Sequence, residues 1–143
     1  MGAFSISIKA SIDNILKDVN DKLVIVTEDL FVGIIQDTPV ATVPYQGEFH
    51  PGLLKNNWFT EVNSTSSETT SVADPSGSGS ISNVQSVLQA NPFLKGDVKV
   101  TMTNNQDYAY RAEMLGWEAP RWSGNVAPYR MVATNLIRVA GTY

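Results

Sequence analysis

The chain has 143 residues, a mass of 15.6 kDa and a formal net charge of −4, which fits a single domain. It contains no cysteine and one histidine, so disulfide frameworks, thiolate catalysis and Cys- or His-rich metal sites are excluded. The basic residues form no cluster that could grip phosphates, and no apolar stretch is long enough to span a membrane.

The N-terminal region predicts a short strand followed by a long helix. Residues 1–10 lack the basic start and apolar run of a secretion signal, so we expect synthesis in the cytoplasm. Apolar and polar residues alternate from Phe4 to Ala10, which is the period of a half-buried strand. From Ser11 the period becomes that of an amphipathic helix, which must end before Pro39. The apolar stripe of this helix consists of Ile12, Leu16, Val19, Leu23, Val26 and Leu30.

A second apolar face lies on the C-terminal half of the helix. Val24, Phe31 and Ile35 lie about 100° to 140° around the helix from the main stripe. A partner subunit could cover this face, the domain itself could cover the helix on both sides, or residues 23–27 could form a β-branched strand. A chain of this size buries only about 68 to 70% of its surface, so we expect a partner subunit and take the three residues as interface candidates.

The segment 63–82 follows a predicted loop at 39–52 and a predicted strand that begins within 53–62. It consists almost entirely of Ser, Thr, Gly, Asn, Asp and Glu. Ordering roughly twenty such residues costs on the order of 20 to 40 kcal/mol of backbone entropy, with few apolar side chains to offset it. We expect a mobile arm that becomes ordered by docking on a neighbouring chain, with Ser64, Thr70, Asp74 and Gly77 as candidate contacts.

The remaining sequence predicts a helix, a strand and two further helices. Residues 84–88 suit a helix that ends before Pro92, and residues 98–103 alternate as a strand does. A helix over residues 108–115 ends at Gly116, and a last helix begins near Pro128 with Val132, Leu136 and Val139 on one face. The expected fold class is α+β, one domain over residues 1–143, with a small antiparallel sheet packed against the long N-terminal helix and the C-terminal helix, and a long flexible loop.

The sequence offers little for catalysis. His50 has no nucleophile elbow to serve, the carboxylate pairs suit a solvated helix face, and the Ser-Gly run has no following Lys to form a phosphate cradle. We expect neither an enzyme nor a cofactor. Glu113 could form a structural or inter-subunit ion pair with Arg121 or Arg130, or face water. Trp122 lies in a loop between Pro120 and Gly124 and is a candidate contact residue.

Four short motifs occur in order along the chain. They are Thr38-Pro39-Val40, then Gly52-Leu53-x-x-x-x-Trp58, then a strand ending at Asn104 with Tyr108-Ala109-x-x-x-Glu113-x-x-Gly116-Trp117, and finally Ala119-Pro120-x-x-x-Gly124 before the last helix. Over about residues 5–140, this order resembles the neck or tail-completion proteins of tailed bacteriophages. The family's Asp-Thr-Gly after the first turn is replaced here by Ala41-Thr42-Val43, and two of the other spacings are each longer by one residue.

The resemblance implies a structural virion protein that forms a ring, a hexamer or a dodecamer, at the head-tail junction. Such a ring contacts the connector or head-closure protein on one side and tail proteins on the other, and DNA passes through it without specific binding. The chain would be made in the host cytoplasm and end in the virion, without a membrane. The alternatives are another phage structural protein, such as a tail terminator or head-closure protein, and a small soluble binding module.

Overall fold

A computed structural model describes residues 2–42, 44, 47–116 and 127–143, with side chains from residue 14 onward. The fold is α+β, as predicted, with two strands that pair antiparallel so that Trp58 lies opposite Asn104 and Val62 opposite Val100. Short 3-10 helices occupy Lys55–Asn57 and Pro92–Lys95. The main elements in chain order are α1 (Gly2–Asp37), β1 (Trp58–Val62), α2 (Ser78–Gln89), β2 (Val100–Asn104), α3 (Ala109–Met114) and α4 (Met131–Thr142).

The N-terminal strand prediction is wrong, because α1 already begins at Gly2. A strand needs a neighbour to satisfy its backbone hydrogen bonds, whereas a helix satisfies its own. In the part of the chain that the structure describes, the sheet consists of β1 and β2 alone. The predicted end of the helix before Pro39 is confirmed, and the Thr38 hydroxyl donates to the Ile34 carbonyl at 2.7 Å.

The core lies between the C-terminal half of α1, α2 and β1. Trp58 joins them, since its indole Nε1 donates to Thr38 Oγ1 at 2.9 Å and its backbone N–H donates to Ser80 Oγ at 3.1 Å. The turn after α1 and the start of α2 are therefore both fixed to the sheet. The buried apolar side chains of this cluster are Ile34, Ile35, Leu54, Trp58, Val84, Leu88, Ala112 and Met131.

The second helix pair is α1 with α4, which begins at Met131, three residues after the predicted Pro128. Gly33 allows this close approach, because a Cβ there would overlap the side chains of Asn135 and Arg138. Asn135 is buried and donates to Asp37 Oδ2 and to the Met131 carbonyl, each at 2.8 Å. These hydrogen bonds satisfy the polar side chain of Asn135, which is buried in the contact between α1 and α4.

The loop predicted over residues 63–82 is shorter and better attached than expected. Residues 78–82 belong to α2, and residues 63–77 run along the domain. Asn57 bonds both backbone groups of Thr70, at 2.9 and 3.1 Å, and Asn105 donates to the carbonyls of Ser66 and Glu68 at 2.9 and 3.0 Å. Asparagines outside the segment thus supply the contacts that its composition lacks, which corrects the picture of a detached arm.

Candidate assembly surface

The first turns of α1 whose side chains the structure describes have little cover from the other described residues, although Leu16 lines a cavity together with Asn91 and Leu94. From Asn14 to Val19, six consecutive residues are exposed, so every side of the helix faces solvent there. We name four apolar side chains on this part of the helix, with exposed fractions between 42% and 62%, the α1 stripe: Ile15, Leu16, Val19 and Leu23. Further along the helix Val26 and Leu30 extend the same line, and there they are half-buried.

A second exposed apolar face lies on α4. Met131, Asn135 and Val139 are buried on the side towards the domain. Val132, Leu136 and Val139 lie within about 60° of one another on α4, as predicted, but only Val139 of the three is buried. Leu136 is instead 50% exposed, and Ile137 is 76% exposed. The α4 outer face consists of Ala133, Leu136, Ile137 and Ala140, of which only Ala133 is half-buried.

One copy cannot use either surface to cover the other. α4 lies beside residues 29–37 of α1, where Arg138 and Asn135 bond Asp29 and Asp37. Leu23, the nearest member of the α1 stripe, lies six residues before Asp29, which is about 9 Å along the helix axis. The α4 outer face also points away from α1, because the opposite side of α4 forms the contact. Within one copy, neither of these two apolar surfaces therefore covers the other.

A polar cluster fixes α4 on α1. The Arg138 guanidinium donates to Asp29 Oδ1 at 2.8 Å and to the Asp29 carbonyl at 2.9 Å, and the Tyr143 hydroxyl donates to Asp29 Oδ2 at 3.0 Å. The hydrogen bond from Arg138, supported by that from Tyr143, lowers the pKa of Asp29. The same bond to Asp29 raises the pKa of Tyr143. These contacts set the orientation in which α4 presents its outer face.

Of the three predicted interface residues on α1, Ile35 is wholly buried, so the prediction that a partner covers it is wrong. Val24 and Phe31 are half-buried and pack against the same core cluster. The domain itself covers the C-terminal half of the helix on two sides, with α2 and Trp58 on one side and α4 on the other. This was one of the alternatives that the sequence left open. The exposed apolar surface lies nearer the N-terminus, on the α1 stripe.

Glu113 has a role within the chain. Its carboxylate accepts the backbone N–H groups of Val132 and Ala133 at 3.0 and 3.1 Å. It thereby caps the first turn of α4, where a negative charge also suits the helix dipole. Arg121 and Trp122 lie outside the described residues, and a role of Glu113 between subunits stays a prediction.

The four predicted docking residues are bonded within the chain and are not gathered into one site. Asp74 accepts backbone N–H groups from Ser76 and Ser78 at 2.9 and 3.2 Å and also accepts their hydroxyls, which together lower the pKa of Asp74 and cap α2. Ser64 donates to Glu61, Thr70 is held by Asn57, and buried Gly77 has a φ of +67°. Docking through these residues stays a prediction.

The sequence analysis missed two features that the sequence does signal. Asp74 followed by Pro75 is typical of a turn, and this turn directly precedes α2, whose first residue, Ser78, donates its N–H to Asp74. α4 has apolar residues on both sides and a single charged residue, Arg138, which indicates a second apolar face. The capping of α4 by Glu113 had no local signal, because the two lie on different elements.

The residues that carry the resemblance hold framework positions. Thr38 and Trp58 bond each other, and Gly116 has a φ of +68° and donates its N–H to the Arg111 carbonyl at 2.8 Å, which closes α3. Gly52 has a φ of +87° and lies against the backbone of Asp74. The fold therefore explains why Thr, Trp and Gly occupy these motif positions.

The described residues provide no constellation for metal chemistry. Among them, no three His, Asp or Glu side chains lie close enough together to hold a metal ion. His50 is exposed, with Glu48 3.5 Å from its Nε2. No helix within the described ranges has the length and hydropathy to cross a bilayer.

The fold and the surface together define an α+β domain with two exposed apolar helix faces. Comparisons of the chain with protein-family models, with curated proteins and with solved structures give no match. The exposed faces and the order of the motifs are therefore the basis for a proposed function.

Proposed function

We propose that this chain is a structural virion protein that forms a ring at the head-tail junction of a tailed bacteriophage. One observation carries the assembly part of the proposal. Among the described residues, two helices expose apolar side chains, with Ile15 and Val19 of α1 62% and 50% exposed and Leu136 and Ile137 of α4 50% and 76% exposed. Exposed apolar patches of this kind favour contacts with other protein surfaces. A subunit of a ring makes two such contacts, one with each neighbour.

The kind of symmetry follows from the two faces. The α1 stripe and the α4 outer face differ in sequence and lie on different elements, so a contact between them joins unlike surfaces. Contacts of this kind form a closed ring when the rotations between successive neighbours add up to a full turn. A twofold dimer would instead use one surface twice. The geometry therefore supports a cyclic oligomer, for which we propose six or twelve copies.

The order of the motifs supports a place in the phage neck. There the ring would contact the connector or a head-closure protein on one side and tail proteins on the other. A net charge of −4 without a basic cluster suits a ring that lets DNA pass without holding it. The proposal assigns no catalysis and no cofactor to the chain.

Light scattering during size-exclusion chromatography, followed by negative-stain electron microscopy, tests the assembly. Closed rings of six or twelve copies are expected at high protein concentration. A strict monomer there would contradict the proposal.

Interruption of the gene in the phage tests the location. We expect DNA-filled heads and separate tails to accumulate, and a plasmid copy of the intact gene to restore joined particles. Tails of abnormal length would indicate a tail terminator instead. Normal joined particles would refute a place at the junction.

A further inference from the structure

We propose that the free edge of β2 binds an extended segment of another protein, which would join the sheet as a third strand. The free edge is the side of β2 that faces away from β1. This inference goes beyond the proposed ring and does not depend on it, because the edge belongs to the single copy. Addition of an extended segment to an open sheet edge is a recurring mode of peptide recognition.

The pairing of the two strands fixes which backbone groups lie on each edge. Asn63, the residue after β1, donates its N–H to the Lys99 carbonyl at 2.7 Å, so these two residues face each other with bonded backbones. In an antiparallel pair, bonded and non-bonded residue pairs alternate, so every second residue of β2 after Lys99 bonds β1. The N–H and C=O groups of Val100 and Met102 therefore point outward, about 7 Å apart along the strand.

The outer edge of β1 is closed by α2. The same alternation directs the N–H groups of Trp58 and Thr60 away from β2. Ser80 Oγ accepts the Trp58 N–H at 3.1 Å, and Asn83 Oδ1 accepts the Thr60 N–H at 2.7 Å. Both acceptors belong to α2. A further strand could not pair with this edge unless α2 were displaced.

The outer edge of β2 has no such cover from the described residues. Within the described ranges, no hydrogen bond reaches the outward N–H or C=O group of Val100 or Met102. No proline or bulge interrupts the strand, since it pairs residue for residue with β1 over five positions. An uninterrupted row of unpaired backbone groups is a template for a further strand.

The side chains on the core face of the sheet differ between the two strands in the same way. On β1, Trp58 and Thr60 are 7% and 3% exposed, whereas Val100 and Met102 on β2 are only half-buried, although they pack against the core cluster. A third strand would place every second side chain beside Val100 and Met102, and apolar residues there would cover them. The segment we expect therefore alternates apolar and polar residues.

The shortness of the edge favours an extended segment over a second folded copy. A strand of five residues is about 17 Å long. A twofold contact between two such edges falls well short of the roughly 1,600 Å² that a stable interface between folded proteins buries. An extended segment gains the same backbone hydrogen bonds, and it can fit its side chains to the domain as it docks.

Amide hydrogen exchange of the full chain, followed by NMR for each residue at low protein concentration, tests whether the edge is open. Thr101 and Thr103 donate their N–H groups to β1, so the amides of Val100 and Met102 should exchange at least about tenfold faster than theirs. Equal protection of the four amides would mean that the chain covers this edge itself, which would overturn the inference. Slower exchange of Val100 and Met102 at higher protein concentration would assign the edge to a second copy and would also overturn it.

A synthetic peptide tests the docking. The probe is the blocked peptide Lys-Val-Thr-Val-Thr-Val-Lys, which alternates as proposed. At millimolar concentration it should slow exchange at Val100 and Met102 at least about fivefold and leave Thr101 and Thr103 unchanged. No effect of this peptide on the two outward amides would overturn the inference.

Two N-methylated forms of the peptide are the matched control. A docked strand presents only every second N–H to β2, and the others point away. N-methylation of the valines should therefore have the opposite outcome to N-methylation of the threonines, with protection abolished by one and kept with the other. Loss of protection in both forms, or in neither, would contradict strand addition.

A substitution in the chain provides a further measurement. Val100→Pro removes one outward N–H, and proline is tolerated at the first residue of an edge strand. It should abolish the protection of Met102 by the peptide, whereas Val100→Ala, which keeps the N–H, should retain it. Equal protection in the two variants would overturn the inference. The methylated peptides make the same test on the unaltered chain, and none of these outcomes bears on the proposed ring, which light scattering tests separately.

Discussion

Substitution of Gly52 by alanine tests how firmly the loop before α2 is attached to the domain. Gly52 has a φ of +87°, and its carbonyl accepts the Asp74 N–H at 3.3 Å. A Cβ at Gly52 would overlap the backbone of Asp74 and Pro75, which cannot move as a flexible side chain can. Alanine therefore adds two costs, a left-handed backbone and a steric overlap.

The two costs can be separated with Gly47 as a control. Gly47 has a similar φ of +81° but no described atom within 4 Å of the added Cβ. The left-handed conformation costs an alanine about 1 to 2 kcal/mol, and overpacking adds about 1 to 3 kcal/mol. We expect Gly47→Ala to lose about 1 to 2 kcal/mol and Gly52→Ala about 2 to 5 kcal/mol.

Thermal unfolding followed by circular dichroism measures the difference. At this chain length 1 kcal/mol corresponds to roughly 3 °C, so the midpoint should fall by about 6 to 15 °C for Gly52→Ala and about 3 to 6 °C for Gly47→Ala. Urea unfolding should give the same order. Equal losses for both variants would refute the close approach of the loop to Gly52, and with it the attachment described above.

Three further predictions concern the loop and the position of α4. Hydrogen bonds lower the pKa of Asp74 in the folded protein, so the ionised carboxylate stabilises the fold above about pH 4, and this contribution is lost as the pH falls below that value. Between pH 6 and pH 2, the thermal midpoint should therefore fall less in Asp74→Asn than in the wild type. Asn57→Ala removes a fully buried amide that bonds Thr70, and it should lower the free energy of unfolding by about 1 to 3 kcal/mol. A glutamate-specific protease should then cleave faster after Glu68. An unchanged cleavage rate would show that Asn57 does not order the loop. Arg138→Ala removes the hydrogen bonds that fix α4 on α1 and should weaken association between copies severalfold in sedimentation experiments. The control Lys17→Ala breaks an exposed ion pair within α1 and should leave association unchanged. Equal effects of the two variants would contradict a role for the orientation of α4.

The sequence predicted the elements whose signals are local. Pro39 marks the end of α1, Gly116 marks the end of α3, and alternation marks β2. The order of loop 63–77 could not be predicted in this way, because it depends on Asn57 and Asn105, which lie outside the segment. An entropy estimate from composition counts the cost of ordering the loop but cannot count hydrogen bonds from elsewhere in the fold.

The sequence also identified both apolar faces of α1, but we expected a partner subunit to cover the face with Val24, Phe31 and Ile35, which the domain itself covers. Periodicity gives the angle between two faces and contains no information about what packs on each. The buried face includes Asn20 and Thr38, whose polar groups lower its apparent hydrophobicity. The Thr38 hydroxyl is satisfied by Trp58 and the Ile34 carbonyl, and the Asn20 amide donates to Asn91. The expectation of a partner rested on the fraction of surface that a chain of this size buries, which does not say which helix face the domain covers.

The fixed position of α4 gives the proposed contact an energetic advantage. Glu113 holds the first turn of α4, Asn135 holds its middle, and Arg138 holds its last turns against Asp29. The conformational entropy of placing this helix is therefore lost when each copy folds. Association between copies then has to order only the side chains that meet at the interface, which lowers one of the main costs of binding. A modest apolar contact on each side of the subunit can therefore sustain a ring, because the α4 outer face is already in place before two copies meet.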